Sequence, residues 1–239
     1  MLSLTANKAI EFYGGKELWK NSLSIEAVVS VTGLAFTLKR RPFFHFAKIE
    51  MEIGKPISRI TPIGKDKNIT GVLNEGDVRL EDEKGNLISE RKDARKYFGF
   101  GRRIFYWDDL DMAYFANYAF WNYFTLPNLL MNSEIQWIEK KEGHLEAIFP
   151  DSIPTHSKRQ EFYFEKETGK LIQHNYTADI ISKFAKATNF VTEHTNQNGL
   201  EYPCARKVTP SSLKGNALPG PILIDIKIHD YKLIESGNL

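Results

Sequence analysis

One cysteine, Cys204, stands in 239 residues, so no disulfide can close within the chain and a thiol-stapled secreted scaffold is excluded. Charge of one sign is lacking too. Thirty-two Lys and Arg face 30 Asp and Glu, a net charge of +2. The basic clusters KRRP (39–42) and RKDARK (91–96) are short and partly interrupted by acid, so neither makes the one-sided field that steers nucleic acid. Long apolar runs are absent as well. The stretch AYFANYAFWNYFTLPNLLM (113–131) is interrupted by Asn117, Asn122, Thr125 and Pro127, short of the roughly 20 apolar residues a bilayer span needs. The opening MLSLTANKAIEFYGG puts Lys8 and Glu11 where a signal peptide needs an apolar core, so the expected location is cytoplasmic, or periplasmic if a signal peptide has been removed.

Motifs for metals and nucleotides are missing. The six histidines, at 45, 144, 156, 174, 194 and 229, show neither HxH nor HExxH spacing, and a lone cysteine supplies no CxxC pair, so no metal site is expected. No GxGxxG or GxxxxGK[ST] cradles a phosphate, and no GxSxG elbow presents a serine; no cofactor is expected.

What is present is an ordinary globular composition, 42% hydrophobic and 26% charged, without repeats or low-complexity linkers, which predicts one domain over residues 1–239. Residues 4–20 predict a short helix stopped by Gly14 and Gly15, then a helical turn carrying Leu18 and Trp19. From Ser24 the pattern turns to strands: SIEAVVSVTG, AFTLKRR, then FHFAKIEMEIG, where Phe44, Phe46, Lys48, Glu50 and Glu52 alternate with His45, Ala47, Ile49, Met51 and Ile53. ISRITPIG, ITGVLNEGDVRLED and NLISER continue this as an antiparallel meander with turns at NEGD and EKGN.

Residues 91–131 break the rhythm. Asp108, Asp109 and Asp111 suit a helix N-terminus, where acids oppose the helix dipole, and Pro127 limits the far end. Strands then resume at EIQWIEKKEGHLEAIFP, QEFYFEKETGKLIQHNYTADI, ATNFVTEHT, YPCARKVTP and PILIDIKIHDYKL. The fold class is therefore α+β and mainly β: a large antiparallel sheet with a leading helix and an aromatic helical insert.

The loop KETG predicts a hairpin pairing Glu165 with Lys170, which sets Tyr163 opposite Ile172, Glu161 opposite His174 and Arg159 opposite Tyr176. A one-residue slip would bring Gln160 and Phe162 to that face instead. His174, oriented by Glu161 or Asp179 with His156, Tyr176 and Arg159 as polarising groups, could serve as an acid/base; the same histidines could equally be ordinary strand residues satisfied by neighbours.

The insert carries seven aromatic side chains between Tyr114 and Phe124. A helix buried on most sides explains them, and so does a pocket wall. In the second case Trp107, Tyr114, Tyr118, Trp121 and Phe124 supply the oily surface and Asn117 a hydrogen bond, while Arg102 meets an acidic headgroup.

The order of elements, with the leading helix AIEFYGGKELW, the strand meander, the helical insert and the hairpin FYFEKETGKLIQHNYTAD ending at Asp179, resembles the bacterial lipoprotein carriers of the LolA and LolB type. The resemblance spans about residues 5–235 and implies an unclosed β-barrel, a half-barrel wrapped around helices that cover an apolar cavity. The functions it leaves in contention are a carrier of a hydrophobic small molecule or lipid, a cofactor-free cyclase, isomerase or hydrolase acting in the same cavity, and an interaction module with no small-molecule site.

Overall fold

In a computed structural model, which describes residues 2–99 and 105–236, the strand segments form one 13-stranded antiparallel sheet. Strands β1 (Ser22–Thr32), β2 (Phe44–Glu52), β3 (Ile57–Thr61), β4 (Thr70–Asn74), β5 (Asp77–Glu81) and β6 (Leu87–Arg91) meander outward in chain order. Strands β7 (Gln136–Lys141), β8 (His144–Ile148), β9 (Arg159–Phe164), β10 (Leu171–Thr177), β11 (Lys186–Gln197), β12 (Leu200–Pro210) and β13 (Ile224–Glu235) meander back until β13 pairs with β1 at the centre. The edges β6 and β7 do not pair, so the barrel is unclosed.

Period-2 burial sets the concave face: Ile25, Ala27, Val29 and Val31 of β1 are all buried. Register shifts in β1 against both neighbours bend the middle of the sheet. One of them corrects the alternation expected in β2. Phe46 sits at φ +50° and turns outward, 65% exposed against His229, so Phe44 joins Ala47, Ile49 and Met51 on the buried face.

The leading helix is α1 (Leu4–Phe12), followed after Gly14 at φ +100° by α2 (Gly15–Asn21). AFTLKRR is not a strand: Leu34–Leu38 form a helical turn, α3. Leu34 N–H and Ala35 N–H donate to Ile222 O and Leu223 O, which pins the chain where an alternating tetrapeptide alone is ambiguous.

The aromatic insert is α4 (Asp109–Phe124), followed at once by α5 (Leu126–Met131) with Pro127 in its first turn. Asp108 caps α4. Its carboxylate accepts from Asp111 N–H at 2.9 Å, the Asp111 carboxylate accepts from Asp108 N–H at 3.1 Å, and Arg91 of β6 bridges both acids. Helix α4 lies inside the half-barrel against β3, β4 and β5, where Gly71 allows close approach: a Cβ there would fall 2.7 Å from Ala113 Cβ.

Candidate ligand-binding site

The two sides of α4 differ. Toward β2, β3 and β4 it is tightly joined: Asn117 Nδ2 donates to Gly71 O at 3.0 Å, its Oδ1 accepts from Ser58 Oγ, and Trp121 Nε1 donates to Glu52 O at 2.8 Å. Toward the central strands the packing is incomplete. A void of about 40 Å³ is bordered by Phe115, Ala116, Ala119, Phe120 and Tyr123 of α4 and by Val31, Phe44, Tyr176 and Ile226 of the sheet. A second void of about 30 Å³ continues it past Met112, Phe115 and Trp107 to Phe36 and Lys39. A third, of about 20 Å³, lies beyond Tyr123 and Phe124 between α2, α5, β12 and β13, with Trp19, Arg206 and Tyr231 on its walls. The lining of the first two is almost wholly apolar, and each void is large enough for a water or a methyl group.

Beside this seam the fold collects buried polar side chains. The register of β9 and β10 explains why. The turn pairs Glu165 with Lys170 as expected, but a bulge at Ile172 slips the ladder by one residue. His174 therefore lies opposite Phe162 rather than Glu161, with Gln160 on the same inward face, and Ile172 turns out to 45% exposure. Gln160 Nε2 donates to Ser157 O, so its Oε1 faces His174 Nε2 at 2.6 Å and fixes the imidazole proton on Nε2. His174 stacks on Phe162 with ring centres 4.2 Å apart.

His156, carried by the loop between β8 and β9, is fully buried against α4. Its Nδ1 meets Tyr118 OH at 3.2 Å, its Nε2 meets Tyr123 OH at 2.9 Å, and its ring stacks on Tyr176 at 3.9 Å. Tyr123 OH also reaches Tyr176 OH at 3.2 Å. Desolvation decides the protonation of this group. Burial pulls His156 down to about 3 and His174 well below the ordinary imidazole value, and pushes Tyr118, Tyr123 and Tyr176 up. The network is neutral at pH 7.

Arg206 of β12 is the exception. It is 1% exposed, lies with its guanidinium 5.0 Å from the Tyr123 ring centre, and has neither Nε nor Nη1 hydrogen-bonded. A guanidinium cannot shed its proton in a protein. Burying an ion without a counter-charge costs several kcal/mol, and the cation–π contact returns about 0.5–2 kcal/mol.

Of the residues singled out from sequence, His156, His174, Tyr176 and Tyr118 come together. Glu161 and Arg159 do not join them. Glu161 lies on the outer face beside His144 at 3.5 Å, and Arg159 pairs with Glu146. Asp179 N–H donates to His156 O at 3.1 Å, while the residue lines a separate open cleft of about 480 Å³ shared with Arg95, Tyr114 and the 149–155 loop. Trp107 and Phe124 border the seam; Asn117 and Trp121 bind backbone on the far side of α4. Arg102 lies outside the described residues.

Sequence reading placed Gln160 on this face only under a one-residue slip, which is the register observed, and missed Ala116, Ala119 and Arg206. Arg206 alone had a signal, since it alternates with Val208 on a strand face that is otherwise inward. Among the described residues no group of three or more His, Cys, Asp or Glu could hold a metal ion, and no helix is long and apolar enough to cross a membrane.

An unclosed antiparallel barrel that holds a helix in its concave face defines the class: a half-barrel of the LolA type. The chain is similar in structure to a LolA superfamily protein from Nitrosomonas europaea, with a TM-score of 0.51 at 10% identity over 98% of this chain and 94% of that one. It also matches a DUF1329 family protein from Desulfovibrio piger, with a TM-score of 0.49 at 12% identity over 98% and 93%. No family sequence model and no curated protein matches the chain by sequence.

Proposed function

We propose that this chain is a binding protein or carrier that takes an apolar small molecule or lipid into the seam between α4 and the central strands. One observation carries the reading: the Met112–Tyr123 face of α4 borders three successive voids, while its opposite face is hydrogen-bonded and packed. Protein interiors are normally filled to crystal-like density, so unfilled apolar space aligned along one helix marks where a guest can enter with little loss of existing contact. The voids are narrower than a ligand. Uptake requires the seam to widen, and on that side α4 is held to the central strands by tyrosine hydroxyls, Tyr231 OH donating to Phe124 O at 3.0 Å and Tyr123 OH meeting Tyr176 OH at 3.2 Å. The LolA-type half-barrel supports the reading as a fold that encloses its helices without closing.

Titration with an apolar fluorescent probe tests it. Stoichiometric binding is expected, and Ala116→Leu with Ala119→Leu, which fill the seam, should reduce affinity by at least about tenfold while the fold persists. An unchanged affinity in the filled variant, or no binding by the parent, would refute the proposal.

A further inference from the structure

Arg206 lacks a partner that the fold elsewhere provides for its buried charges. Arg91 is matched by Asp108 and Asp111, and Arg41 by Asp109. Around Arg206 the groups that face it are neutral: Tyr13, Tyr123, Tyr176 and Tyr231, with the imidazoles of His174 and His194 held neutral by burial. The tyrosine hydroxyls are engaged elsewhere. Tyr13 OH accepts from Leu171 N–H and meets His194, Tyr231 OH donates to Phe124 O, and Tyr123 OH serves His156 and Tyr176. Glu201 is the carboxylate on the wall of the same void, and it accepts from Asn196 Nδ2 at 3.0 Å in an exposed bond; no ion pair joins it to Arg206. A cation of fixed charge thus borders a void with two buried nitrogens unpaired.

We propose that Arg206 receives the carboxylate of an amphiphilic ligand whose apolar tail runs along α4. The inference rests on the binding function proposed above and adds the ligand class, an anionic amphiphile with the chemistry of a long-chain fatty acid. Tyr123 borders both the Arg206 void and the apolar void of the seam, so the head and tail sites adjoin across one ring, which a ligand spanning both would displace. From Met112 to Phe124 the helix runs roughly 18 Å at 1.5 Å per residue, a length that an extended acyl chain matches once the seam widens. A carboxylate there would accept from an N–H that the fold leaves unpaired, on Nη1 or on Nε, which lie on different edges of the guanidinium.

Displacement of a bound apolar probe by hexadecanoate, hexadecanol and acetate separates the outcomes. Hexadecanoate is expected to bind at least about tenfold more tightly than hexadecanol, with acetate ineffective. Arg206→Met, similar in length and apolar, should erase that preference while leaving hexadecanol binding within about twofold; Arg206→Lys should retain part of it. The parent protein decides even if neither variant folds. Equal binding of acid and alcohol overturns the role of Arg206 but leaves the binding function standing. Acetate competing as well as hexadecanoate means a small-anion site and overturns the amphiphile assignment. Failure of the probe and of both long-chain compounds to bind overturns both.

Discussion

Lowering the pH from 7 to 5 should remove about 4 kcal/mol of folding stability, about 2 kcal/mol from each of two buried histidines. In the folded protein His156 titrates at about 3 and His174 well below the ordinary value, because burial disfavours the charged ring. In the unfolded chain both return to about 6.5. The unfolded state therefore binds more protons everywhere between pH 6.5 and about 3, and stability falls as pH falls through that window. His194, also lowered to about 3 but partly exposed, adds a smaller increment of the same sign. Asp179, raised by burial, works in the opposite direction at the acidic end. Urea unfolding at pH 7, 6 and 5, above the range where carboxylates titrate, reads the slope directly. His174→Gln should be less stable at pH 7 yet lose about 2 rather than about 4 kcal/mol on going to pH 5. A parent stability that is flat from pH 7 to 5 would refute the idea that these imidazoles are neutral and sealed.

Three further expectations concern the frame of the site. Gly169→Ala should cost more than about 1 kcal/mol in thermal unfolding, because the residue sits at φ +83° and a Cβ would fall 2.3 Å from Lys8 C, which parts the β9–β10 turn from α1. Asp108→Ala should destabilise by about 1–2 kcal/mol in urea melts through loss of the α4 cap, with Arg91 losing one of its two acids. Gly71→Ala should cost about 1–3 kcal/mol and weaken probe binding, since its Cβ would press on Ala113 and Ile63 and shift α4 across the seam.

The sheet was legible because half-buried strands impose a two-residue period, and FHFAKIEMEIG or the KETG hairpin carry it openly. What escaped was where the period breaks. The outward turn of Phe46 and the bulge at Ile172 are set by neighbouring strands, and each moves one residue between faces, which decided that His174 meets Gln160 and not Glu161. AFTLKRR alternates too, yet its conformation is fixed by backbone bonds to residues nearly 190 positions away. The seam was hidden for a different reason. Helix α4 is apolar on nearly every side, so its sequence does not reveal that Trp121 meets packed backbone while Ala119 meets open space. Close approach of α4 at Gly71 makes that difference, and such contacts leave no local pattern.

The pairing of β1 with β13 has a consequence for how the chain reaches this form. Hairpins such as β4–β5 or β9–β10 close over a few residues, whereas the central joint must wait for a strand that begins about 190 residues after β1 ends. At a synthesis rate of about 5–20 residues per second, β1 spends roughly 10–40 seconds as the open flank of a half-made sheet. That flank carries Ile25, Val29 and Val31, the kind of β-rich edge that recruits strands from other chains. The middle of the finished sheet is thus its most vulnerable margin during synthesis, and a molecule that shields nascent edges would act on β1 before the ligand seam exists.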